Sequence, residues 1–166
     1  MSACDFHDPK VQKLICDFKY HSIRSLSVPL TRILLSTFTS ILSELPFPLE
    51  DTFIVPIPLS KIRMRERGFN QSEDVVNEII KYIPELKIQN EILKRIVSGP
   101  QQAKTHSAQE RIIATKNAFI AKRNNERNNI ILIDDVFTTG ATAEDAVRAL
   151  KAVGYKRILV ATIAKT

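Results

Sequence analysis

Ile130-Ile131-Leu132-Ile133-Asp134-Asp135-Val136-Phe137-Thr138-Thr139-Gly140-Ala141-Thr142 is the stretch whose reading decides the fold. Four apolar residues run into two adjacent carboxylates and then into a Thr/Gly turn. The apolar run reads as a central strand of a parallel sheet, buried on both faces. Beyond it, Ala146, Val147, Leu150 and Val153 fall on one helical face, and Gly154 stands where a C′ glycine belongs. A strand, a short loop and a helix N-terminus make an anion cradle, because unpaired N–H groups and the helix dipole point at the loop. Gly140 lets the backbone close on an anion, while Thr138, Thr139 and Thr142 add hydroxyl donors. Two acids beside such a cradle call for a ligand carrying hydroxyls or a metal as well as phosphate. A sugar phosphate meets that description. The plainer alternative is an ordinary strand–turn–helix with Thr142 as N-cap, Asp145 as its partner three residues on, and the acids solvated.

Outward from this block, strands alternate with helices. Asp8 and Pro9 open an amphipathic helix carrying Val11, Leu14, Ile15 and Phe18. A second helix is expected from about Pro29 to Leu45, ended by Pro46 and Pro48. Phe53 to Pro58 reads as a strand whose prolines stiffen its exit, Leu59 to Gln71 as a loop, and Ser72 to Tyr82 as a helix. Ile92–Ile96 and Ala118–Ile120 are short strands, with a polar loop over Ser98–Gln109 and a short helix over Ala108–Thr115 between them. Arg157–Ala164 is the last strand. The pattern predicts an α/β domain, a mostly parallel central sheet flanked by helices. One domain spans residues 1–166, with 1–48 as a helical hood and 49–166 as the α/β core. Ligands in such sheets sit at the carboxyl ends of the strands.

At 166 residues, 44% hydrophobic and 25% charged, the chain can bury a sizeable core. No apolar run approaches bilayer length and no cleavable leader pattern opens the sequence, so the expectation is a cytoplasmic protein without membrane insertion. Cys4 and Cys16 make no disulfide framework. With His7 and His21 they lack the paired knuckle of a zinc site, so no protein-built metal site is expected and Cys16 reads as a small core residue. The net charge of +6 suits polyanionic ligands. Lys61, Arg63, Arg65 and Arg67 crowd seven residues against Glu66 alone. Taken alone they make a solvated basic face. At a strand's carboxyl end, opposite a phosphate loop, they would concentrate charge on a departing anion. With eight Phe, three Tyr and no Trp, mostly in apolar patterns, no platform for base stacking is evident.

The Asp134-Asp135…Thr138-Thr139-Gly140-Ala141-Thr142 block resembles the 5-phosphoribosyl-1-pyrophosphate (PRPP) signature of type I phosphoribosyltransferases. Val55-Pro56-Ile57-Pro58-Leu59 with Arg65-x-Arg67-Gly68-Phe69-Asn70-Gln71 is similar to one group within them, the ComF-like proteins of bacterial competence. Lys19-Tyr20, Lys94-Arg95, Gln102, Arg111 and Ala118-Phe119 extend that likeness over most of the chain. The N-terminal four-cysteine zinc module that longer ComF-like proteins carry has no counterpart in the sequence given, and Ala114 and Asn117 depart from the group's pattern before Phe119.

The resemblance implies that Asp134 and Asp135 hold the ribose hydroxyls and that Val136 to Thr142 form the PRPP loop. It further implies that Ser60, Lys61, Arg63, Arg65 and Arg67 face pyrophosphate, with Lys61 and Arg63 joining the acids as the catalytic set. Mg²⁺ is implied through the ligand, and Gln102 and Lys104 as part of a closing loop that also carries His106. Asn70 or Arg67 could bind ligand, or Phe69 could simply pack that block onto the next helix. Implied partners are PRPP or a nucleotide-like ligand, with transfer of phosphoribose to a nitrogenous acceptor. The alternative is a non-catalytic competence protein binding single-stranded DNA or a DNA-translocating partner. A homodimer is compatible with either.

Overall fold

Asn129–Phe137, the decisive stretch, is the central strand of a five-stranded parallel sheet. The computed structural model describes residues 1–96 and 118–166. In chain order the elements are β1 (Ser2–Asp5), α1 (Pro9–Tyr20), α2 (Ser27–Ser43), β2 (Thr52–Pro56), α3 (Lys61–Arg67) and α4 (Gln71–Ile79). They continue with β3 (Lys87–Ile88), β4 (Leu93–Arg95), β5 (Phe119–Ala121), β6 (Asn129–Phe137), α5 (Ala141–Ala152) and β7 (Arg157–Lys165). The sheet order is β1-β7-β6-β2-β3, every pair parallel, while β4 and β5 form a separate antiparallel pair.

The unbroken apolar run of β6 has a simple cause. Successive strand residues face opposite sides, and both sides are covered. Ile131 and Ile133 join Ile54, Ile163 and the apolar faces of α1, α2 and α4. Ile130 and Leu132 join Phe53, Val55, Leu150 and Tyr155 with β4 and β5 on the other face. The Asp8 carboxylate accepts the Lys10 and Val11 N–H groups and starts α1, as the sequence predicts.

Several boundaries differ from expectation. Leu59–Gln71 is not a loop: Ser60 caps the helix α3, and Gly68 ends it in the left-handed region at φ +76°. The short β1 and β3 carry too little periodicity to be seen in sequence, yet pair with β7 and β2. β4 and β5 leave the main sheet. The expected loop at 98–109 and helix at 108–115 lie outside the described residues. Cys16 is half-buried rather than a core residue.

The helical run Arg24–Ser43 has a mean hydropathy of 1.3 and is long and apolar enough, by length and composition, to cross a membrane, contrary to the expectation that no run approaches that length. Here Leu30, Leu34 and Phe38 are fully buried against the sheet layer. Phe38→Ala should cost about 3–5 kcal/mol through lost burial and a residual cavity. That should show as a lower urea midpoint at unchanged slope. Tyr82, half exposed, should tolerate alanine within about 0.5 kcal/mol.

Candidate functional site

β6 carries Asp134 and Asp135 within its pairing with β7, Asp134 opposite Thr162 and Val136 opposite Ala164, so the strand holds the pair from both sides. They open onto a cavity of about 260 Å³ at the carboxyl ends of β2 and β6. Thr138, Gly140 and Thr142 line the same cavity, as do Val136 and Phe137. Thr139 and Ala141 do not line it; the Ala141 N–H donates to Thr139 Oγ1 at 3.4 Å.

The N-cap of α5 is Gly140, not Thr142, and it brings no capping side chain to the first turn. Asp145 is buried and accepts the Ala118 N–H at 2.6 Å and an Arg148 N–H at 2.7 Å. Asp145 therefore ties β5 to α5, and the plain capping arrangement is not what the turn adopts. Gly140 has φ +79°, and a Cβ there would stand 2.7 Å from Phe137 Cζ. Gly140→Ala combines left-handed strain of about 1–2 kcal/mol with that clash. A loss of about 2–3 kcal/mol in urea unfolding is expected.

The four cations of α3 separate by helical spacing. Arg63 and Arg67, one turn apart, line the cavity, whereas Lys61 and Arg65 are exposed and do not line it. Ser60 is buried and accepts the Arg63 N–H at 3.2 Å, fixing the start of α3. The Arg67-Gly68-Phe69-Asn70-Gln71 block sorts the same way. Phe69 is buried, with its ring centroid 5.5 Å from that of Phe18. Asn70 donates to the Ile57 carbonyl at 3.1 Å and accepts the Ser72 N–H at 3.2 Å, joining the exit of β2 to the start of α4. Gln71, fully buried, accepts from Arg67 Nη1 at 2.8 Å. Of this block, Arg67 lines the cavity.

Other lining residues received no role from sequence reasoning. Lys19 and Tyr20 come from the last turn of α1, Arg95 from the end of β4, Phe6 from the residue after the edge strand β1, and Thr162 from β7 beside β6. Lys19 Nζ lies 2.9 Å from Asp135 Oδ1, and Arg67 Nη1 lies 3.9 Å from Oδ2. The Arg67 guanidinium also sits 5.5 Å from the centroid of the exposed Tyr20 ring. The signal was present only as two dipeptides, Lys19-Tyr20 and Lys94-Arg95, since long-range pairing leaves no local periodicity. Gln102, Lys104 and His106 lie outside the described residues.

Charge is unevenly shared. Burial, then the neighbouring Asp135 charge, pushes the Asp134 carboxyl up to about 7, against the Asp135 N–H it accepts at 2.9 Å. Burial and the nearby Arg63 pull the Arg95 guanidinium below its ordinary value. Among the described residues Arg95 Nε is buried without a hydrogen-bond partner. Two close guanidiniums and an unpartnered donor suit an anion. Among the described residues no group of three or more acids, histidines or cysteines could hold a metal ion.

The parallel α/β domain thus brings strand-end acids, a Thr/Gly turn at a helix N-terminus and a cationic wall to one cavity at the carboxyl ends of its strands. No protein-family model matches the chain. It is 38% identical over 118 residues to competence protein ComFC of Bacillus subtilis, covering 69% of this chain and 44% of that protein. It is 32% identical over 117 residues to competence protein F of Haemophilus influenzae, covering 68% of this chain and 49% of that protein. The chain thus spans about half the length of these curated relatives. Over that shared length it is a homologue of these competence proteins. A hypoxanthine phosphoribosyltransferase from Staphylococcus aureus aligns over 86% of this chain and 65% of its own, at 13% identity and a TM-score of 0.40, a likeness too distant to carry chemistry.

Proposed function

We propose that the cavity binds PRPP with Mg²⁺ and that the protein transfers phosphoribose to a nitrogenous acceptor. The observation that carries this reading is the convergence of the Asp134–Asp135 pair, the Thr138–Thr142 turn and the Arg63, Arg67 and Arg95 guanidiniums on one cavity of about 260 Å³. Thr138, Gly140 and Thr142 would hold the 5′-phosphate at the N-terminus of α5, and the two acids would accept the ribose hydroxyls. Arg63 and Arg95 would face pyrophosphate.

A nitrogen lone pair then attacks C1, and the C1–O bond electrons leave with pyrophosphate. The chain's share is orientation and charge stabilisation of that leaving group. Two acids, one already facing Lys19 and Arg67, do not build a protein-only Mg²⁺ site. Mg²⁺ would arrive on the diphosphate, and when bound it would neutralise part of the leaving charge.

Calorimetric titration of Mg·PRPP into the protein should give saturable binding. A folded protein that binds none would overturn the reading.

The exposed Lys61 and Arg65 favour a second reading. They could contact the backbone of single-stranded DNA in a competence role, the context suggested by the relatives' names. DNA affinity should then fall steeply with salt, by about 0.7 of a power of ten per tenfold salt for each phosphate neutralised. Replacing Lys61 and Arg65 by Gln should reduce that slope in a filter-binding assay while leaving Mg·PRPP binding within about twofold. A cytoplasmic setting and a homodimer belong to the same proposal.

A further inference from the structure

Lys19 stands in the last turn of α1, at the inner end of a helix whose Val11, Ile15 and Phe18 are buried in the core. Its side chain is 15% exposed and that of Asp135 is 11% exposed, with Nζ 2.9 Å from Oδ1. An ammonium so far removed from water is costly unless paired, and α1 cannot easily withdraw it. Phe18, the preceding residue, is locked against Phe69. Arg67 faces the other oxygen of Asp135 from α3, and Arg67 is itself held by the buried Gln71.

The two acids are therefore not equivalent. Both oxygens of Asp135 face cations from different helices, whereas among the described residues Asp134 accepts the Ser72 hydroxyl at 3.4 Å and the Asp135 N–H at 2.9 Å and has no ion pair. Among the described residues the charged groups around Asp134 are Asp135, Lys19 and, from β4, Arg95 with Arg63 beyond it.

We infer that Lys19 is a positioning residue: it fixes the Asp135 carboxylate in the cavity and makes Asp134 the member of the pair that exchanges its proton when ligand binds. The upward displacement of Asp134 fits this division. A carboxylate has about four lone-pair sites, so Asp135 can keep Lys19 while accepting a ligand hydroxyl. Lys19 acts through Asp135 and not by contact with phosphate. The ligand part of the inference rests on the PRPP reading; the hold of Lys19 on the acid pair does not.

Two measurements separate these parts. Carboxyl ¹³C resonances of the whole chain, assigned with single Asp→Asn variants, follow proton loss from the acid pair without ligand. Lys19→Met should raise the midpoint of that loss by one pH unit or more, because it removes the nearer cation and leaves Arg67, at 3.9 Å from Asp135, to oppose the mutual repulsion of the pair. Lys19→Arg should retain the wild-type curve. In Mg·PRPP titrations, Lys19→Met should bind about tenfold more weakly at pH 7, a loss of 1.4 kcal/mol, and recover towards wild type by pH 9. Lys19→Gln serves equally if the methionine variant does not fold.

An unchanged pair titration in Lys19→Met overturns the inference. So does an affinity loss equal at every pH, which would mark Lys19 as a direct phosphate contact. If wild type binds no PRPP while the pair titration moves as described, the ligand assignment fails and the positioning role stands.

Discussion

The Asp134→Asn/Asp135→Asn double variant should lose Mg·PRPP binding by roughly 10²–10⁴-fold. Each carboxylate would accept a hydrogen bond from a ribose hydroxyl. Hydrogen bonds to charged acceptors contribute about 1.5–3 kcal/mol each, and two such losses set that range. The amides keep the shape of the acids, and an amide oxygen at position 134 can still accept the Asp135 N–H, so the strand end should remain folded. The variant also turns two acids neutral inside a cavity lined by Lys19, Arg63, Arg67 and Arg95. Simple anions such as pyrophosphate should then bind as well as to wild type, or better. That contrast is the useful one. Loss of PRPP with retention of pyrophosphate places the acids on the sugar. Loss of both would mean that the substitutions had collapsed the cavity, and unchanged PRPP binding would remove the acids from the ligand altogether. Single-stranded DNA binding, if it runs over the exposed Lys61 and Arg65, should not weaken.

How much of this was legible beforehand follows from the kind of information each feature needs. The β6 run and the α5 face declare themselves by local periodicity, and the Thr/Gly turn between them by residue type. Those three suffice for a parallel sheet with an anion cradle at a strand's carboxyl end. α3 was hidden because its residues are mostly charged and none is fully buried, so it presents no apolar stripe. Its capping signal, Ser60 before the helix and Gly68 after it, was there to be read. Lys19 and Arg95 were opaque for a different reason. Each is delivered to the cavity from an element remote in sequence from β6, and only the packing of Phe18 on Phe69 and of Arg95 over Phe119 shows where they end. The structure places the Phe69 ring in the core and uses the Asn70 amide to join β2 to α4.

Asp134→Asn alone should make the unliganded protein more stable, and more so as pH rises. The folded-state value of Asp134, about 7, lies above the ordinary carboxylate value of 3.8. Between those two values the folded chain holds a proton that the unfolded chain releases, so stability falls as pH rises from about 4 to about 7 and is level above that. Asparagine, which does not titrate, escapes the loss. The advantage over wild type should be absent near pH 4, about a third developed at pH 5, and complete by pH 8. For a coupled pair its full size is about 1–3 kcal/mol, which for a chain of this length corresponds to roughly 3–10 °C in Tm. Thermal unfolding of both proteins at pH 5 and pH 8 measures it. A Tm difference of the same size at both pH values would assign any gain to packing and remove the buried charge as its cause. A variant less stable than wild type at pH 8 would mean that Asp134 is ionised there and held by the cations opposite. The expected result instead describes a site that pays for its acid pair in stability until a ligand takes up the charge.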